Sequence, residues 1–175
     1  MTKNIGCFAL FFMTIATSVV LAEVALPVVS SYEGRIRATG FDRNFRKVTG
    51  QTEMIIKTQA DYEAFVGKIP KRTITKTNPA PPSKDLLLKK PPIDFGKHMM
   101  LVAVRANSMY VTPQIESVVV EKETLLVHIL DPDLGETRFL NQMQGIGAYR
   151  AVVVPKHKGP IQFLRKKGTP VSREK

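Results

Sequence analysis

The stretch MMLVAVR, residues 99–105, places six apolar residues in a row before its arginine. A short apolar run without polar alternation is typical of a buried strand. Four later apolar runs predict further strands: 115–121, 124–130, 148–154 and 160–164. The first two are rich in β-branched residues and are joined by the charged pair Lys122-Glu123, which predicts a hairpin.

One helix is predicted upstream of this β-rich half. Thr58 followed by Asp61 has the spacing of a helix N-cap with an acidic residue three positions later. Pro70 marks the point where the helix must end. The apolar residues between them recur at i, i+3, i+4 and i+7: Tyr62, Phe65, Val66 and Ile69. We therefore predict an amphipathic helix over 59–69.

Two short strands, 32–39 and 53–57, are predicted before the helix. Strands separated by short turns, with one helix among them, argue against a parallel βαβ layout. The sequence therefore predicts a mainly β fold of the α+β class, an antiparallel sheet or small sandwich with one short amphipathic helix packed on it. The β-rich domain is expected over 53–167, between an N-terminal extended segment, 23–52, and a polar tail, 168–175.

The segment 71–92 differs in composition from its surroundings. It holds five prolines and six basic residues, with Asp85 as its one acid. Such a segment buries little, so it is predicted to be a long loop, with Leu86-Leu87-Leu88 docked on the body as one turn. Loops of this length in compact domains are usually functional or disordered, which makes this one a candidate contact surface.

The N-terminus has the layout of a secretory signal peptide. Lys3 is followed by an uncharged, strongly apolar run through Ala22, and Val20-Leu21-Ala22 places compact residues where a signal peptidase reads, just before Glu23. The prediction is an exported protein, periplasmic or extracellular, with residues 1–22 removed. The alternative is an uncleaved N-terminal anchor, because the apolar run is close to the roughly 20 residues that span a bilayer.

The chain is strongly basic, and cleavage hardly changes this. Its formal charge of +11 falls to +10, because Lys3 is the one charged residue in the signal. The single cysteine, Cys7, is lost as well, so the mature chain has neither disulfides nor a thiol nucleophile. Such a charge favours anionic partners, and outside the cytoplasm these are lipids, envelope polymers and acidic proteins more than nucleic acid.

The chemistry-bearing residues form no catalytic, cofactor or metal motif. The histidines, at 98, 128 and 157, do not share a metal-ligand spacing, and no serine lies in a nucleophile elbow. The acidic group Asp131, Asp133 and Glu136 departs from the calcium-loop spacing, so we interpret it as an ordinary turn. We therefore predict a non-enzymatic protein without a cofactor, and leave a hydrolase assembled around His128 as the weakest alternative.

Two basic groups are candidate contacts for a protein partner or a polyanion. The first lies in the loop, and the second begins at the turn after the predicted strand 148–154 and extends to Arg165, Lys166 and Lys167. Aromatic residues are not interleaved with these lysines, which disfavours a stacking platform for single-stranded nucleic acid. The candidate contacts are Lys71, Arg72, Lys76, Lys84, Lys89, Lys90, Lys156 and Lys158.

The segment PIDFGKHMMLVA, residues 92–103, resembles the strand entry of the C-terminal domain family of the protease-complex subunit PrcB. The strand and the DYEAF helix within 53–69 resemble the lead-in of that family, and the order of later strands is similar as far as residue 164. The turn 106–110 departs from the family's glycine-rich turn but keeps Tyr110, which joins the candidate contacts. The resemblance implies an exported, non-catalytic accessory domain that binds and stabilises a protein partner, in the best-known case a protease.

Besides that hydrolase, two binding functions remain open from the sequence. The first is an accessory domain that binds an exported or envelope protein. The second is a basic binder of anionic envelope polymer or lipid, whose retention on polyanions weakens with salt.

Overall fold

The computed structural model describes residues 24–37, 51–75, 78–106, 111–133 and 145–170. The predicted signal peptide, Lys76, Tyr110 and Glu136 lie outside these ranges. Within them, no helix is long and apolar enough to cross a membrane.

Eight strands, one α-helix and one short 3-10 helix make up the described part of the chain. The helices are α1, Gln59–Val66, and the 3-10 helix Leu86–Lys89. The strands are β1 Val24–Ala25, β2 Ser30–Arg37, β3 Gln51–Ile56, β4 His98–Ala106, β5 Gln114–Glu121, β6 Thr124–Asp133, β7 Ile146–Pro155 and β8 Ile161–Pro170.

The strands form two four-stranded sheets. The central sheet has the order β2-β7-β4-β3 and is antiparallel throughout. The outer sheet has the order β1-β5-β6-β8, and its β6–β8 pair is parallel. The predicted mainly β architecture, with antiparallel sheets and one helix packed on a sheet, is therefore confirmed, and the β6–β8 pair is the one parallel pair among the described strands.

The central sheet is covered on both faces. Met100, Val102 and Val104 of β4 pack in one hydrophobic cluster with residues of α1 and the 3-10 helix. Their neighbours Met99, Leu101 and Ala103 pack against Val127 and other residues of the outer sheet. Because successive side chains of a strand point to opposite faces, this double coverage explains the uninterrupted apolar run in MMLVAVR.

Helix α1 begins where its capping residues predict. The hydroxyl of Thr58 accepts a hydrogen bond from the Asp61 amide, 3.1 Å away, and donates one to the Asp61 carboxylate at 2.7 Å. Tyr62, Phe65 and Val66 are buried beneath it, as the stripe predicts. The helix ends at Val66 rather than at residue 69, and Ile69 is buried in the segment that follows.

Two strands are longer than predicted, and one ion cluster explains both. Strand β6 continues through Asp133, and β8 continues through Pro170. Arg165 of β8 points between the two sheets, where its guanidinium binds both carboxylate oxygens of Asp131 at 2.8 Å and the carboxylate of Glu53 at 2.8 Å. Asp131 is therefore a buried ion-pair partner and not part of a turn.

Candidate functional site

A cleft of about 640 Å³ lies between strand β2 and the proline-rich loop, which we define as Lys71–Pro92. Glu33, Gly34 and Arg35 of β2 form one wall. The loop forms the other wall, and Thr112, just before β5, also lines the space. Among the described residues, strand β2 is an edge strand of the central sheet, so the cleft runs along an edge that no described strand of this sheet covers.

The proline-rich loop folds back on itself as an irregular hairpin. The Thr73 amide donates to the Pro81 carbonyl at 2.8 Å, and the Ser83 amide donates to the Lys71 carbonyl at 3.0 Å. The Thr73 hydroxyl and the Arg72 guanidinium add hydrogen bonds to the carbonyls of Pro82 and Ala80. These bonds give the described part of a proline-rich segment a fixed shape without a core of its own.

The 3-10 helix anchors this loop to the central sheet. The Asp85 side chain caps it by accepting a hydrogen bond from the Leu87 amide at 3.0 Å. Leu87 is completely buried in the cluster between α1 and the central sheet, whereas its neighbour Leu86 is 55% exposed. Lys90 then ends the helix in the left-handed conformation, with φ of 49°. The prediction that 86–88 dock as one turn is confirmed.

Asp85 also binds the sheet directly. The Tyr149 hydroxyl donates to the Asp85 carboxylate, with both oxygens 2.8 Å away. Gly34 makes the approach possible, because a Cβ there would overlap Oδ2 of Asp85 and lie 3.0 Å from the Tyr149 ring. Strand β2, strand β7 and the loop therefore meet at one carboxylate on the cleft wall.

Burial is the largest influence on the pKa values of Asp85 and Tyr149. It raises the pKa of Asp85 above the ordinary range, against the opposing hydrogen bonds from Tyr149 and the Leu87 amide. Burial also raises the pKa of Tyr149, and the nearby Asp85 charge raises it further. Tyr149 therefore stays a hydrogen-bond donor at any physiological pH, and the pair holds the loop in place.

Replacing Asp85 by asparagine should change how stability depends on pH. The folded chain binds the Asp85 proton more tightly than the unfolded chain, so this carboxyl's contribution to the free energy of unfolding falls as pH rises from about 3.9 through its raised folded pKa. Asparagine lacks this titration. The variant should therefore gain stability relative to the native chain across that window, as urea unfolding at a series of pH values would measure.

The matched control for this experiment is Tyr149→Phe. It removes the hydrogen bond that favours the charged Asp85, so the pKa of Asp85 should rise further and the window should extend to higher pH. Parallel stability curves for the native chain and Asp85→Asn would contradict the assignment of a raised pKa to Asp85.

The charges around the cleft are unequally paired. Glu33 binds the guanidinium of Arg150 at 2.9 Å, and Asp85 accepts a hydrogen bond from the Tyr149 hydroxyl. Arg72 and Lys84 are exposed, and neither forms an ion pair with a residue in the described ranges. The cleft wall therefore offers two cations whose charge is available to a ligand, beside two carboxylates that are already occupied.

The structure brings together some of the candidate contacts predicted from the sequence. Arg72 and Lys84 line the cleft, and Lys71 lies next to them in the hairpin. Lys89 and Lys90 are exposed where the 3-10 helix ends. Lys76 and Tyr110 lie outside the described residues.

The second basic group lies elsewhere. Lys156 and Lys158 are exposed in the turn between β7 and β8. Glu33 pairs with Arg150 of β7, whereas Pro155 at the end of β7 pairs with His98. Five residues of strand separate these points, about 17 Å at 3.3 Å per residue. The interpretation of Arg165 as basic surface is wrong, since its side chain is enclosed in the ion cluster. Lys166 is exposed, as a basic surface requires, and binds Glu116 at 2.9 Å.

None of the three histidines lines the cleft, and neither does Asp131. His128 is half-buried on β6, and a ring nitrogen of His157 lies 2.8 Å from the Glu123 carbonyl oxygen. No group of three metal-ligating side chains occurs among the residues that the structure describes.

Sequence reasoning missed the Asp85–Tyr149 pair and the β2 wall. Two signals were present: a glycine at position 34 inside a predicted strand, which indicates a close approach, and Asp85 immediately before the apolar run 86–88, which is the pattern of a helix cap. Comparisons with protein-family models, with curated proteins and with solved structures find no match to this chain, so the resemblance to the PrcB domain family stays a prediction.

Proposed function

We propose that this chain is an exported, non-catalytic accessory domain that binds a protein partner through the cleft between β2 and the proline-rich loop. The observation that carries the proposal is the construction of the cleft. A long loop that could be solvated is instead anchored, in its described part, beside strand β2 by Leu87 and Asp85. Preorganised walls reduce the entropy lost on binding, which is an advantage to a binding surface.

The arrangement of the cleft carboxylate also supports binding more than catalysis. Both Asp85 oxygens accept from Tyr149, and one of them also accepts from the Leu87 amide. A carboxylate used in this way maintains the shape of the wall.

The basic binder of polymer or lipid is supported less well. A polyanion binds best to a continuous basic surface. Here Lys156 and Lys158 follow the end of β7 at Pro155, which is five strand residues, about 17 Å, from the register position of the cleft residue Glu33. Arg165, which would have extended the second group, is buried.

Reversing the two available charges of the cleft should abolish partner binding. The double variant Arg72→Glu with Lys84→Glu places repulsive charges on one wall, and we expect capture of the partner to fall at least about tenfold. The measurement is quantitative mass spectrometry of proteins cross-linked to the tagged chain after export, with N-terminal sequencing to check that it begins at Glu23.

The matched control is Lys156→Glu with Lys158→Glu, which changes the net charge by the same amount at the other basic group. Capture should stay within about twofold of the native chain, because exposed charges outside an interface contribute little. An equal loss in both double variants, together with salt-sensitive retention on heparin, would favour the polyanion binder. Undiminished capture by the cleft variant would exclude the cleft.

A further inference from the structure

The backbone of β2 has an outward-facing edge. In an antiparallel ladder, residues alternate between those that bond the neighbouring strand and those whose N–H and C=O point away from it. Arg37 pairs with Ile146 of β7, yet its amide donates to the Lys68 carbonyl at 2.9 Å. The backbone N–H of Arg37 therefore points away from β7. By alternation, the backbone N–H and C=O groups of Ser31 and Glu33 also point away from β7.

These outward groups are available for pairing. Neither the amides nor the carbonyls of Ser31 and Glu33 bond to any residue within the described ranges. Their side chains are engaged with Arg150, at 3.4 Å from the Ser31 hydroxyl and 2.9 Å from the Glu33 carboxylate. Strand β2 therefore has side chains held by β7 and, among the residues that the structure describes, backbone donors and acceptors at Ser31 and Glu33 that face away from β7 beside the cleft.

Resting on the proposed function, we infer that the partner contributes an extended, acidic segment that adds to the outer edge of β2 as a further strand. Main-chain hydrogen bonds to Ser31 and Glu33 would hold the segment, as in other cases of strand addition. Side chains alternate along a strand, so every second residue of the segment would face the loop wall.

The positive charge of the loop wall is the reason why we infer an acidic partner segment. Arg72 and Lys84 line the cleft without a carboxylate partner in the described part of the chain, whereas the cleft acids Glu33 and Asp85 are already paired. Acidic side chains at the positions that face the wall would form ion pairs with these two cations. Basic side chains there would be repelled, which supplies specificity.

The first test uses a synthetic peptide of alternating glutamate and valine as the probe, with the alternating lysine and valine peptide as its control. Amide hydrogen exchange in the chain lacking residues 1–22 reports the result. The acidic peptide should slow exchange at Ser31 and Glu33 by about tenfold or more at saturation, because strand pairing protects their amides. Equal binding by the lysine peptide, or binding that leaves these two amides unprotected, would overturn the inference.

The second test compares Glu33→Pro with Glu33→Ala. Both lose the ion pair with Arg150, but proline alone also removes the outward amide, and proline is tolerated on an edge strand where its N–H faces solvent. The acidic peptide should bind Glu33→Pro about three- to tenfold more weakly than Glu33→Ala, because one main-chain hydrogen bond to the peptide is lost. Thermal unfolding of both variants checks the fold, and the exchange measurement on the native chain stands if the proline variant does not fold.

The remaining outcomes separate this inference from the proposed function. If the cleft charge reversal abolishes partner capture while Glu33→Pro and Glu33→Ala capture equally, strand addition is wrong and the binding function remains. A dimer that dissociates in Glu33→Pro but persists in Glu33→Ala would place a second copy of the chain on the edge. Equal protection of the two amides by heparin would place a polyanion there. Either result overturns the inference.

Discussion

Replacing Arg165 by methionine is expected to lower the free energy of unfolding by about 3–5 kcal/mol, the usual effect of breaking a buried ion pair by removing one partner. The Asp131 side chain is 4% exposed and that of Arg165 is 11% exposed. Methionine fills similar space but leaves the Asp131 charge buried without its arginine partner, and it frees Glu53 on the facing sheet. Urea unfolding followed by circular dichroism measures the change.

The neighbouring residue offers the control. Lys166 pairs with Glu116 at the surface, where the two side chains are 66% and 34% exposed, so Lys166→Met should cost less than about 1 kcal/mol. Adding Asp131→Asn to Arg165→Met should recover part of the loss, since it removes the buried charge. Equal effects of the two methionine substitutions would show that the cluster does not hold the sheets together.

Replacing Leu87 by alanine is expected to cost about 2–5 kcal/mol, the range for deleting a buried leucine side chain. Leu87 is completely buried and is the apolar anchor of the 3-10 helix against the central sheet. Its loss should also loosen the cleft wall, because Asp85 reaches Tyr149 from the same short helix. Denaturant unfolding measures the first effect, and partner capture should fall with it.

Leu86→Ala is the matched control for this prediction. Leu86 is 55% exposed, so its truncation should change the free energy of unfolding by no more than about 0.5 kcal/mol. Similar losses in the two variants would mean that the loop is not anchored by Leu87. A stable Leu87→Ala protein with unchanged capture would show that the wall does not depend on this anchor.

The elements that could be predicted from the sequence are those with a local physical signature. The run MMLVAVR is buried because both faces of its strand are covered, and a continuous apolar run is the local trace of that environment. Thr58 and Asp61 form a cap within four residues of chain, so their spacing alone indicates it. Such features depend on neighbouring residues and little on contacts with distant parts of the chain.

The features that were missed depend on distant residues. Arg165 reads as surface in sequence because its partners, Glu53 and Asp131, are 112 and 34 residues away. Asp85 and Tyr149 are separated by 64 residues, and nothing local predicts that they meet. The parallel pairing of β6 with β8 was missed for a related reason: β7, between them in sequence, lies in the other sheet.

That exchange of strands between sheets has a consequence for when the chain can fold. The central sheet takes β2, β3, β4 and β7, and the outer sheet takes β1, β5, β6 and β8. Each sheet therefore combines early strands with a late one, β7 in the central sheet and β8 in the outer sheet. Because pairing over such separations must wait for loop closure, a growing chain has a finished central sheet only after β7 has been made and a finished outer sheet only after β8 has been made.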